Sequence, residues 1–438
     1  MASANAPHDT PERKHMVRAV AAATIGTAIE WYDFIIYGLA AALVFPALFF
    51  PESNPFTGAL LAFSTYFVGF AARPIGAAIF GHFGDRIGRK ATLVVTLLLM
   101  GIATFLVGVV PTYEAIGIWG GVILTLLRVV QGIGVGGEWG GSVLMSLEWS
   151  EKGKRGFIAS WPHMSAPLGL LMANGAIAFF SWLSGDQFLV WGWRMPFLLS
   201  ILLVGVGLYI RLGVLETPVF TKLKAENRLE RTPVVTAIKH HWRTIGLLAL
   251  LKTSQMVAFY TFTTYVLVYA TKVLGYSRDM VLGGVLVAAT VSMCTMPFWG
   301  YVSDLIGRRR MTIIGALALS VFAFAYFGML DTKAPWLLTL ALVLGLIVHD
   351  MQYGPQAAFV AECFPGKLRY SGASLGYQLS AITGGPAPMI ALALYEHFQS
   401  STAIAAYIAA TALLTALTAL FLPDRAHEEL EAPVATAA

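Results

Sequence analysis

The chain consists largely of long apolar runs separated by short polar or charged breaks. One such run is TLLLMGIATFLVGVV at residues 96–110. A run of roughly 20 apolar residues can cross a bilayer as an α-helix, whereas the strands of a membrane barrel would appear as alternating segments of about 10 residues. The pattern predicts an all-α polytopic membrane protein with twelve transmembrane helices, at residues 19–48, 57–81, 91–110, 115–147, 156–183, 190–212, 244–274, 279–302, 311–330, 335–361, 370–397 and 402–422.

The longest polar stretch inside the chain, residues 213–243, separates the predicted helices into two sets of six. The predicted organisation is a cytoplasmic tail at 1–18, a six-helix bundle at 19–212, a cytoplasmic central loop at 213–243, a second six-helix bundle at 244–422 and a cytoplasmic tail at 423–438. Residues 1–18 lack the short apolar core and cleavage site of a secretory signal. The first apolar run is therefore predicted to be an uncleaved anchor.

Composition supports this interpretation and narrows the chemistry. Hydrophobic residues make up 57% of the 438 positions and charged residues only 12%, against roughly 25% charged in soluble proteins. This excludes a soluble enzyme. The sequence has no phosphate-binding GxxxxGK[ST] loop, nucleophile elbow or paired metal-ligand motif, so we expect no cofactor, no bound metal and no catalytic activity.

Lysines and arginines are distributed unevenly between the two sides of the predicted membrane. Of the 29 Lys and Arg residues, 22 fall on the side of the N-terminal tail, three fall inside helices, and four fall on the other side, namely Arg194, Lys272, Arg278 and Lys333. Because cytoplasmic loops accumulate positive charge, both termini are predicted to be cytoplasmic, in the inner membrane of a bacterium. The net charge of +5 is then explained without a nucleic-acid partner. We expect a monomer embedded in the lipid bilayer.

An internal repeat relates the two halves. GHFGDRIGRK at 81–90 has a counterpart in GYVSDLIGRRR at 300–310, and Glu148 with Arg155 has a counterpart in Glu362 with Arg369. The offsets, 304 − 85 = 219 and 362 − 148 = 214, agree closely. Duplicated halves are typical of secondary transporters, which rock about a central site.

The loop at 81–90 resembles the signature loop of the major facilitator superfamily, and the loop at 300–310 resembles its second copy. Three further segments, EWYDFIIYG at 30–38, RVVQGIGVGGEWGG at 128–141 and AECFPGKLRYSG at 361–372, are similar to the metabolite:proton symporter family within it. The resemblance implies two six-helix bundles around a central cavity, alternating access, and uptake of a small, often anionic, metabolite with protons. Members of that family carry dicarboxylates, aromatic or cyclic acids, or betaines.

The two repeated loops are predicted to control the conformational change. Glycine permits tight turns and close backbone approach, and Asp85 can meet a basic residue or a helix N-terminus of the other half. Leu305 stands where the first copy has Arg86, which predicts a weaker second contact; the alternative is that both loops only anchor the topology. The predicted gating residues are Gly81, Asp85, Arg86, Gly88, Arg89, Lys90, Gly300, Asp304, Gly307, Arg308 and Arg309.

Ionisable residues inside the predicted helices are costly, at roughly 2.5 to 3.5 kcal/mol each at a helix centre, and so point to function. Asp33 falls near the midpoint of the first helix, three residues after Glu30. Burial disfavours the charged form of a carboxylate, which is the property a proton carrier requires. Asp33, Glu30 and Glu138 are the predicted proton-coupling residues. The alternative for the first two is a fixed salt bridge, which suits Glu30 better than Asp33, and the alternative for Glu138 is a structural acid in a glycine-rich interface.

Arg128 is the leading substrate-binding candidate because its guanidinium forms a fork that matches a carboxylate. We hypothesise that Arg128 alternates between neutralising Asp33 and holding an anionic substrate. The other predicted binding residues are Gln131, Trp139, Lys252, Tyr353 and Arg73. The glycines of RVVQGIGVGGEWGG spell GxGxxG but lie inside an apolar run, which favours close helix packing over nucleotide binding.

These observations predict a secondary transporter that takes up a small organic anion, such as a mono- or dicarboxylate or a cyclic or aromatic acid, together with protons. Uptake of a zwitterionic osmolyte such as a betaine, and proton-coupled efflux, remain open within transport. A transporter-like sensor or receptor is the alternative from another class.

Overall fold

Long helices make up the regular structure of the computed structural model, which describes residues 11–148, 150, 153–213, 221, 224–226 and 230–428. The first half contains α1 (Pro11–Leu43), α2 (Pro55–Arg86), α3 (Arg89–Val109), α4 (Trp119–Glu148), α5 (Arg155–Ser184) and α6 (Met195–Leu212). The second half contains α7 (Pro233–Tyr260), α8 (Arg278–Ile306), α9 (Arg308–Asp331), α10 (Pro335–Glu362), α11a (Arg369–Gly384), α11b (Ala387–Phe398) and α12 (Ser401–Ala419). Single turns at Phe45–Phe49, Tyr113–Ile116, Gly185–Gln187, Gly192–Arg194 and Gly366–Leu368 connect them.

Eleven helices of the described chain are long and apolar enough to cross a membrane. The remaining predicted crossing, the eleventh along the chain at 370–397, is made by α11a and α11b with a break between them. The break falls at Gly385 and Pro386, where proline cannot donate a helical hydrogen bond. A Cβ on Gly385 would lie 2.5 Å from Cβ of Phe70 on α2, so the break also brings the two halves close together.

The seventh helix begins earlier than the sequence predicts. Residues 233–240, assigned above to the central loop, are helical, and the non-helical dihedrals of His241 (φ −129°, ψ 20°) mark a kink before the apolar part. Past Tyr260 the helix widens into π turns at Thr261–Tyr265 and Tyr269–Val273. Residues 1–10 of the predicted N-terminal tail, residues 429–438 of the predicted C-terminal tail, and the loop residues 214–220, 222–223 and 227–229 lie outside the described residues, as do residues 149, 151 and 152.

Both repeated loops turn on a glycine with a positive φ. Gly88 (φ 125°) separates α2 from α3, and Gly307 (φ 95°) separates α8 from α9. L-residues with a side chain rarely adopt such angles. We call the end of the bundle at which these loops lie the motif end, and the other the opposite end.

Small residues allow the helices to approach closely, as the sequence predicts for the glycines of α4. A Cβ on Gly132 would clash with the carbonyl of Gly69, and one on Gly136 with the carbonyl of Arg73, both on α2. Between the halves, a Cβ on Gly300 of α8 would lie 2.7 Å from the carbonyl oxygen of Gly156 of α5. The glycine pattern therefore serves helix packing.

Candidate functional site

Two arginines lie at the centre of the first half, completely buried. Arg73 on α2 and Arg128 on α4 are 1% and 0% exposed, and their guanidinium carbons lie 4.0 and 3.6 Å from the ring centroid of Phe34 on α1. Within the described part of the chain, neither makes an ion pair with a carboxylate. Aromatic rings therefore line both guanidinium groups and stabilise their charge through cation–π contacts.

Arg128 is held by aromatic rings and one amide. Its guanidinium carbon lies 4.4 Å from the ring centroid of Tyr37 and 4.6 Å from that of Tyr66. Its Nη1 donates to Oε1 of Gln131 at 3.0 Å, and Gln131 Nε2 donates to the hydroxyl of Thr104 at 2.8 Å. The Nε and Nη2 atoms of Arg128 have no partner among the described residues. A carboxylate could accept bonds from these two nitrogens.

Asp33 does not pair with Arg128 in this conformation. The carboxyl is 0% exposed, and neither of its oxygens has a hydrogen-bond partner among the described residues. Its surroundings on α3 are Thr104 and Gly101, since a Cβ on Gly101 would lie 3.6 Å from Asp33 Oδ2. Thr104 therefore stands between Asp33 and the Gln131–Arg128 pair. The hypothesis that Arg128 alternates between Asp33 and a substrate stays a prediction.

Glu30 and Glu138 occupy a separate buried cluster closer to the motif end. Arg211 on α6 binds both: its Nη1 lies 2.8 Å from Oε1 of Glu30 and its Nη2 lies 3.1 Å from Oε1 of Glu138. Thr27 donates to Glu138, and Arg211 donates to the carbonyl of Leu93. In this conformation both acids are paired with Arg211, so Glu30 and Asp33 have different surroundings although they share a helix. The coupling roles of Glu30 and Glu138 stay predictions.

The second half supplies a third buried cation, Lys252 on α7, which is 2% exposed. Its Nζ donates to Oε1 of Gln255 at 2.7 Å and lies 3.7 Å from the ring centroid of Tyr377. Lys252 is also close enough to Arg73 for the two charges to repel each other. The three predicted cations therefore surround one central region, to which each half contributes.

An aromatic cluster between this region and the motif end joins the two halves. Trp139 of α4 stacks on Tyr377 of α11a with centroids 3.9 Å apart, and His163 of α5 stacks on Tyr353 of α10 at 4.1 Å. The hydroxyls of Tyr353 and Tyr377 are 3.1 Å apart. Trp139 and Tyr353, predicted as substrate contacts, therefore line the motif-end boundary of the site.

The aspartates of the repeated loops each reach a helix N-terminus of the other half. Asp85 Oδ2 accepts a hydrogen bond from Ser371 in the first turn of α11a at 2.6 Å. Asp304 accepts from the backbone N–H groups of Gly156 and Phe157 at the start of α5, both at 2.9 Å. A carboxylate is stabilised at a helix N-terminus by the N–H groups and the helix dipole.

Other residues of these loops have unequal roles. Arg308 on α9 is 0% exposed and binds Asp304 at 2.7 Å and Glu362 at 3.5 Å. Arg86 is exposed and contacts His82 of its own helix at 3.2 Å, while Leu305 is 62% exposed. The Arg86 to Leu305 difference therefore lies at the surface and gives no reason for a weaker second contact.

The remaining predicted gating residues lie close to these contacts. A Cβ on Gly81 would be 3.7 Å from Cα of Ser371. Lys90 donates to the carbonyl of Leu212 at 2.6 Å. Arg309 donates its backbone N–H to Asp424 at 3.1 Å. Arg89 begins α3, and its side chain lies outside the described part of the structure.

Contacts between the halves close the central region at both ends. At the motif end, Tyr370 donates to the carbonyl of Gly137 at 2.7 Å. At the opposite end, Arg278 of α8 donates to the hydroxyl of Ser181 of α5 at 2.5 Å. The central cations and aromatics are consequently buried, which is the arrangement of an occluded conformation.

Several residues of the site escaped sequence reasoning. Arg211 lies near a helix end, where the sequence predicts only a role in setting the topology, yet it is only 5% exposed. Phe34, Tyr66 and Tyr377 resemble ordinary packing residues within apolar runs. The i, i+3 spacing of Lys252 and Gln255 is the signal that could have identified their hydrogen bond.

Comparison with known proteins agrees with this architecture. The Major Facilitator Superfamily profile matches residues 34–385 and 296–437. The inner membrane metabolite transport protein YhjE of Escherichia coli K12 is 40% identical over 420 residues, covering 94% of this chain and 95% of that protein. The shikimate transporter of the same strain is 39% identical, covering 93% and 94%. The glycine betaine/proline/ectoine/pipecolic acid transporter OusA of Dickeya dadantii is 33% identical, covering 94% and 84%.

Among solved structures, the proton:xylose symporter XylE bound to 6-bromo-6-deoxy-D-glucose superposes with a TM-score of 0.75 at 20% identity, covering 95% of this chain and 98% of that one. At this identity the match shows the fold alone, and it confirms the predicted two-bundle, twelve-helix architecture. The family matches confirm the resemblance derived from the motifs. The chain belongs to the Major Facilitator Superfamily and is a membrane transporter of small metabolites.

Proposed function

We propose that this protein is a proton-coupled symporter that takes up a small organic anion across the bacterial cytoplasmic membrane by alternating access. The observation that carries this proposal is the presence of three buried cations, Arg73, Arg128 and Lys252, none of which pairs with a carboxylate within the described chain. Buried charge without a counter-charge is costly. An anion entering the central region would lower that cost.

The unpaired donors indicate where such an anion would bind. Arg128 Nε and Nη2 and Arg73 Nε have no hydrogen-bond partner among the described residues. Two N–H groups of one guanidinium match the two oxygens of a carboxylate. The aromatic rings of Tyr66 and Tyr260, whose centroids are 5.9 Å apart, lie beside these donors and suit a ring-bearing acid. The shikimate transporter is among the relatives.

Asp33 is the proposed proton carrier. Its carboxyl is fully buried and makes no ion pair with the described residues, so it can gain a proton without breaking a salt bridge. Protonation of Asp33 would remove its negative charge from beside Thr104, whose hydroxyl accepts from the Gln131 that binds Arg128, leaving Arg128 to bind the anion. One proton and one anion would then be carried together.

A betaine is the less suitable substrate at this centre. A quaternary ammonium requires an aromatic surface for its charge, but the rings of Phe34, Tyr37 and Tyr66 already surround the guanidinium of Arg128.

We place the motif end, and with it both termini, in the cytoplasm because the basic residues concentrate on that side.

The test is a thermal-shift screen of the purified protein followed by uptake into proteoliposomes. The probes are shikimate, succinate, benzoate and glycine betaine. We expect a carboxylate to raise the melting temperature and to accumulate only when the outside is acidic. The matched variants are Arg128→Ala and Arg310→Ala; Arg310 is exposed at the motif end, so its loss removes the same charge outside the site.

Stabilisation by glycine betaine alone would overturn the assignment of an anion. Uptake that ignores the proton gradient would overturn the coupling. Equal loss of binding in both arginine variants would show that the central site is not where the anion binds.

A further inference from the structure

We propose that His349 in the second half is an additional proton acceptor, and that its protonation releases Lys252 for the substrate by turning the side-chain amide of Gln255. This inference rests on the proposed function for its biological use. It is carried by four side chains on α7 and α10 that form one continuous hydrogen-bonded chain.

The direction of the first two hydrogen bonds follows from which groups can donate. Lys252 Nζ lies 2.7 Å from Gln255 Oε1, and an ammonium group has donors only. The carbonyl of the amide must therefore face the lysine. Gln255 Nε2 then faces His349 Nε2 at 2.7 Å, so the amide donates and this ring nitrogen accepts.

The other ring nitrogen is fixed in the same way. His349 Nδ1 lies 2.9 Å from Oδ1 of Asp350, and an ionised carboxylate only accepts. Ser292 and Thr295 of α8 donate to the second oxygen, Oδ2, at 2.7 and 2.5 Å. In this conformation His349 is therefore neutral, with its hydrogen on Nδ1.

Adding a proton to Nε2 makes this arrangement impossible. Two donors, the ring N–H and the amide N–H, would face each other, so the amide of Gln255 must rotate by about half a turn to present its carbonyl to His349. Its NH₂ group would then face Lys252, whose ammonium also has only donors. Lys252 loses its acceptor, and the carboxylate of a bound anion is the group that replaces it.

The groups around His349 allow this change. Asp350 is its ion-pair partner and would balance the imidazolium charge. The other titratable groups that face it are Tyr353 on its own helix, Lys252 on α7 through Gln255, and His163 on α5, while α8 supplies only neutral hydroxyls. Lys252 opposes protonation, and an anion beside Lys252 offsets that opposition. Proton and anion therefore favour each other's binding.

His163 provides a matched control within the same molecule. It is equally buried, with Nδ1 2.8 Å from the carbonyl oxygen of Tyr353 and Nε2 3.0 Å from the indole Nε1 of Trp139. The indole N–H is a donor that cannot exchange roles by rotation. Protonation of His163 would therefore require the stacked aromatic cluster to separate, and we expect it to stay neutral.

The experiment is solid-state ¹⁵N NMR of full-length protein in liposomes, labelled at histidine and lysine, titrated between pH 5 and 9 without any substrate. Signals are assigned with His349→Asn, His163→Asn and Lys252→Met. We expect Nε2 of His349 to change from unprotonated to protonated as the pH falls, and the Lys252 Nζ signal to shift with the same midpoint. His163 should not change.

Gln255→Glu tests whether Lys252 responds to rotation of the Gln255 amide or only to the nearby charge of protonated His349. A glutamate accepts from Lys252 and from protonated His349 without rotating, so we expect His349 still to titrate while the Lys252 signal stays constant. The proposal is overturned if His349 stays neutral throughout, or if the Lys252 signal follows His349 equally in wild type and Gln255→Glu. Failure of all the carboxylates tested for uptake would reject the proposed substrate class and leave this result unaffected.

Discussion

Charged side chains at the centres of the two halves lie in contrasting surroundings. In the first half, Arg128 retains two unpaired nitrogens and Asp33 retains two unpaired oxygens among the described residues. In the second half, Lys252 and Asp350 are linked through Gln255 and His349 in one chain of hydrogen bonds. At these central positions the charged groups of the first half therefore keep unpaired polar atoms, and those of the second half are engaged with each other.

This difference suggests a division of labour between halves that share a fold. Unpaired buried groups raise the free energy of the protein until a ligand satisfies them, so the first half should supply most of the binding energy for the anion. A fully bonded network changes only when one member changes its protonation state. The second half is therefore better suited to responding to that event than to recognising the substrate.

Arg128→Ala should cause the largest loss of affinity for the anion. Removing one partner of a buried charge pair costs about 2 to 5 kcal/mol, so we expect the affinity for the transported anion to fall at least about 30-fold. Lys252→Met should reduce affinity less, because that amine must first leave Gln255. Equilibrium binding of radiolabelled anion to detergent-solubilised protein gives both values, and a larger loss in Lys252→Met would reverse the assigned roles.

The two acids of α1 test the same contrast within one helix. Glu30→Gln removes a partner of Arg211, which Glu30 binds at 2.8 Å, and should destabilise the protein by about 1 to 3 kcal/mol because one buried carboxylate, Glu138, still pairs with the arginine. Asp33→Asn removes a carboxyl without hydrogen bonds and should leave stability unchanged or raised. Melting temperatures of the purified variants provide the comparison.

The loss of proton-driven uptake should follow the opposite order, with the larger loss in Asp33→Asn. Asp33→Asn should abolish accumulation driven by an acid gradient while leaving counterflow exchange of the anion, since the neutral amide mimics the protonated carboxyl. Glu30→Gln should retain gradient-driven uptake in proportion to the protein that stays folded. Proton-driven accumulation by Asp33→Asn at the wild-type level would remove Asp33 from the coupling mechanism.

The sequence was sufficient to predict the helices, because runs of apolar residues near 20 in length leave few alternatives in a membrane. It was also sufficient to locate the ionisable residues inside them, since each such residue interrupts an apolar run. The sequence did not predict the break between α11a and α11b, because Gly385 and Pro386 are equally compatible with a kink in one continuous helix. It also placed the start of α7 too late, because the polar residues before His241 resemble a loop.

Pairing could not be predicted from the sequence. Arg211 binds Glu30 and Glu138 across 181 and 73 residues of chain (211 − 30 and 211 − 138), and helical periodicity carries no information about partners on different helices. For the same reason the sequence could not show that Asp33 lacks such a partner. Local spacing carried more information where both groups share a helix, as with Arg128 and Gln131.

The aspartates at the motif end offer a test in which both halves take part. Asp304→Asn should favour opening of the motif end by about tenfold, a typical coupling magnitude, because an amide cannot accept from Gly156 and Phe157 through both of its polar atoms. Asp85→Asn should shift the same equilibrium in the same direction. The readout is the maleimide reactivity of a cysteine introduced at Ser374, which is buried and contacts α4 at the closed motif end.

The native cysteines make this labelling simple. Cys294 is exposed and is replaced by serine. Burial raises the pKa of the Cys363 thiol to about 12, so at neutral pH that residue stays unreactive and can be left in place. Leu305→Ala is the control because it alters an exposed position of the same loop; reactivity that changes as much in this control would indicate a general loosening of the bundle.

The smallest expected effect concerns the first turn of α9. Asp424 accepts hydrogen bonds from the backbone N–H groups of Arg308 and Arg309 at 3.3 and 3.1 Å, and Gly307, which precedes α9, has no side chain that could cap the helix. Asp424→Ala should remove these two hydrogen bonds and cost about 1 kcal/mol. Because Arg308 also binds Asp304, the lost cap should slightly increase labelling at Ser374→Cys. A lower melting temperature with unchanged labelling would show that Asp424 stabilises the second half without acting on the contact between the halves.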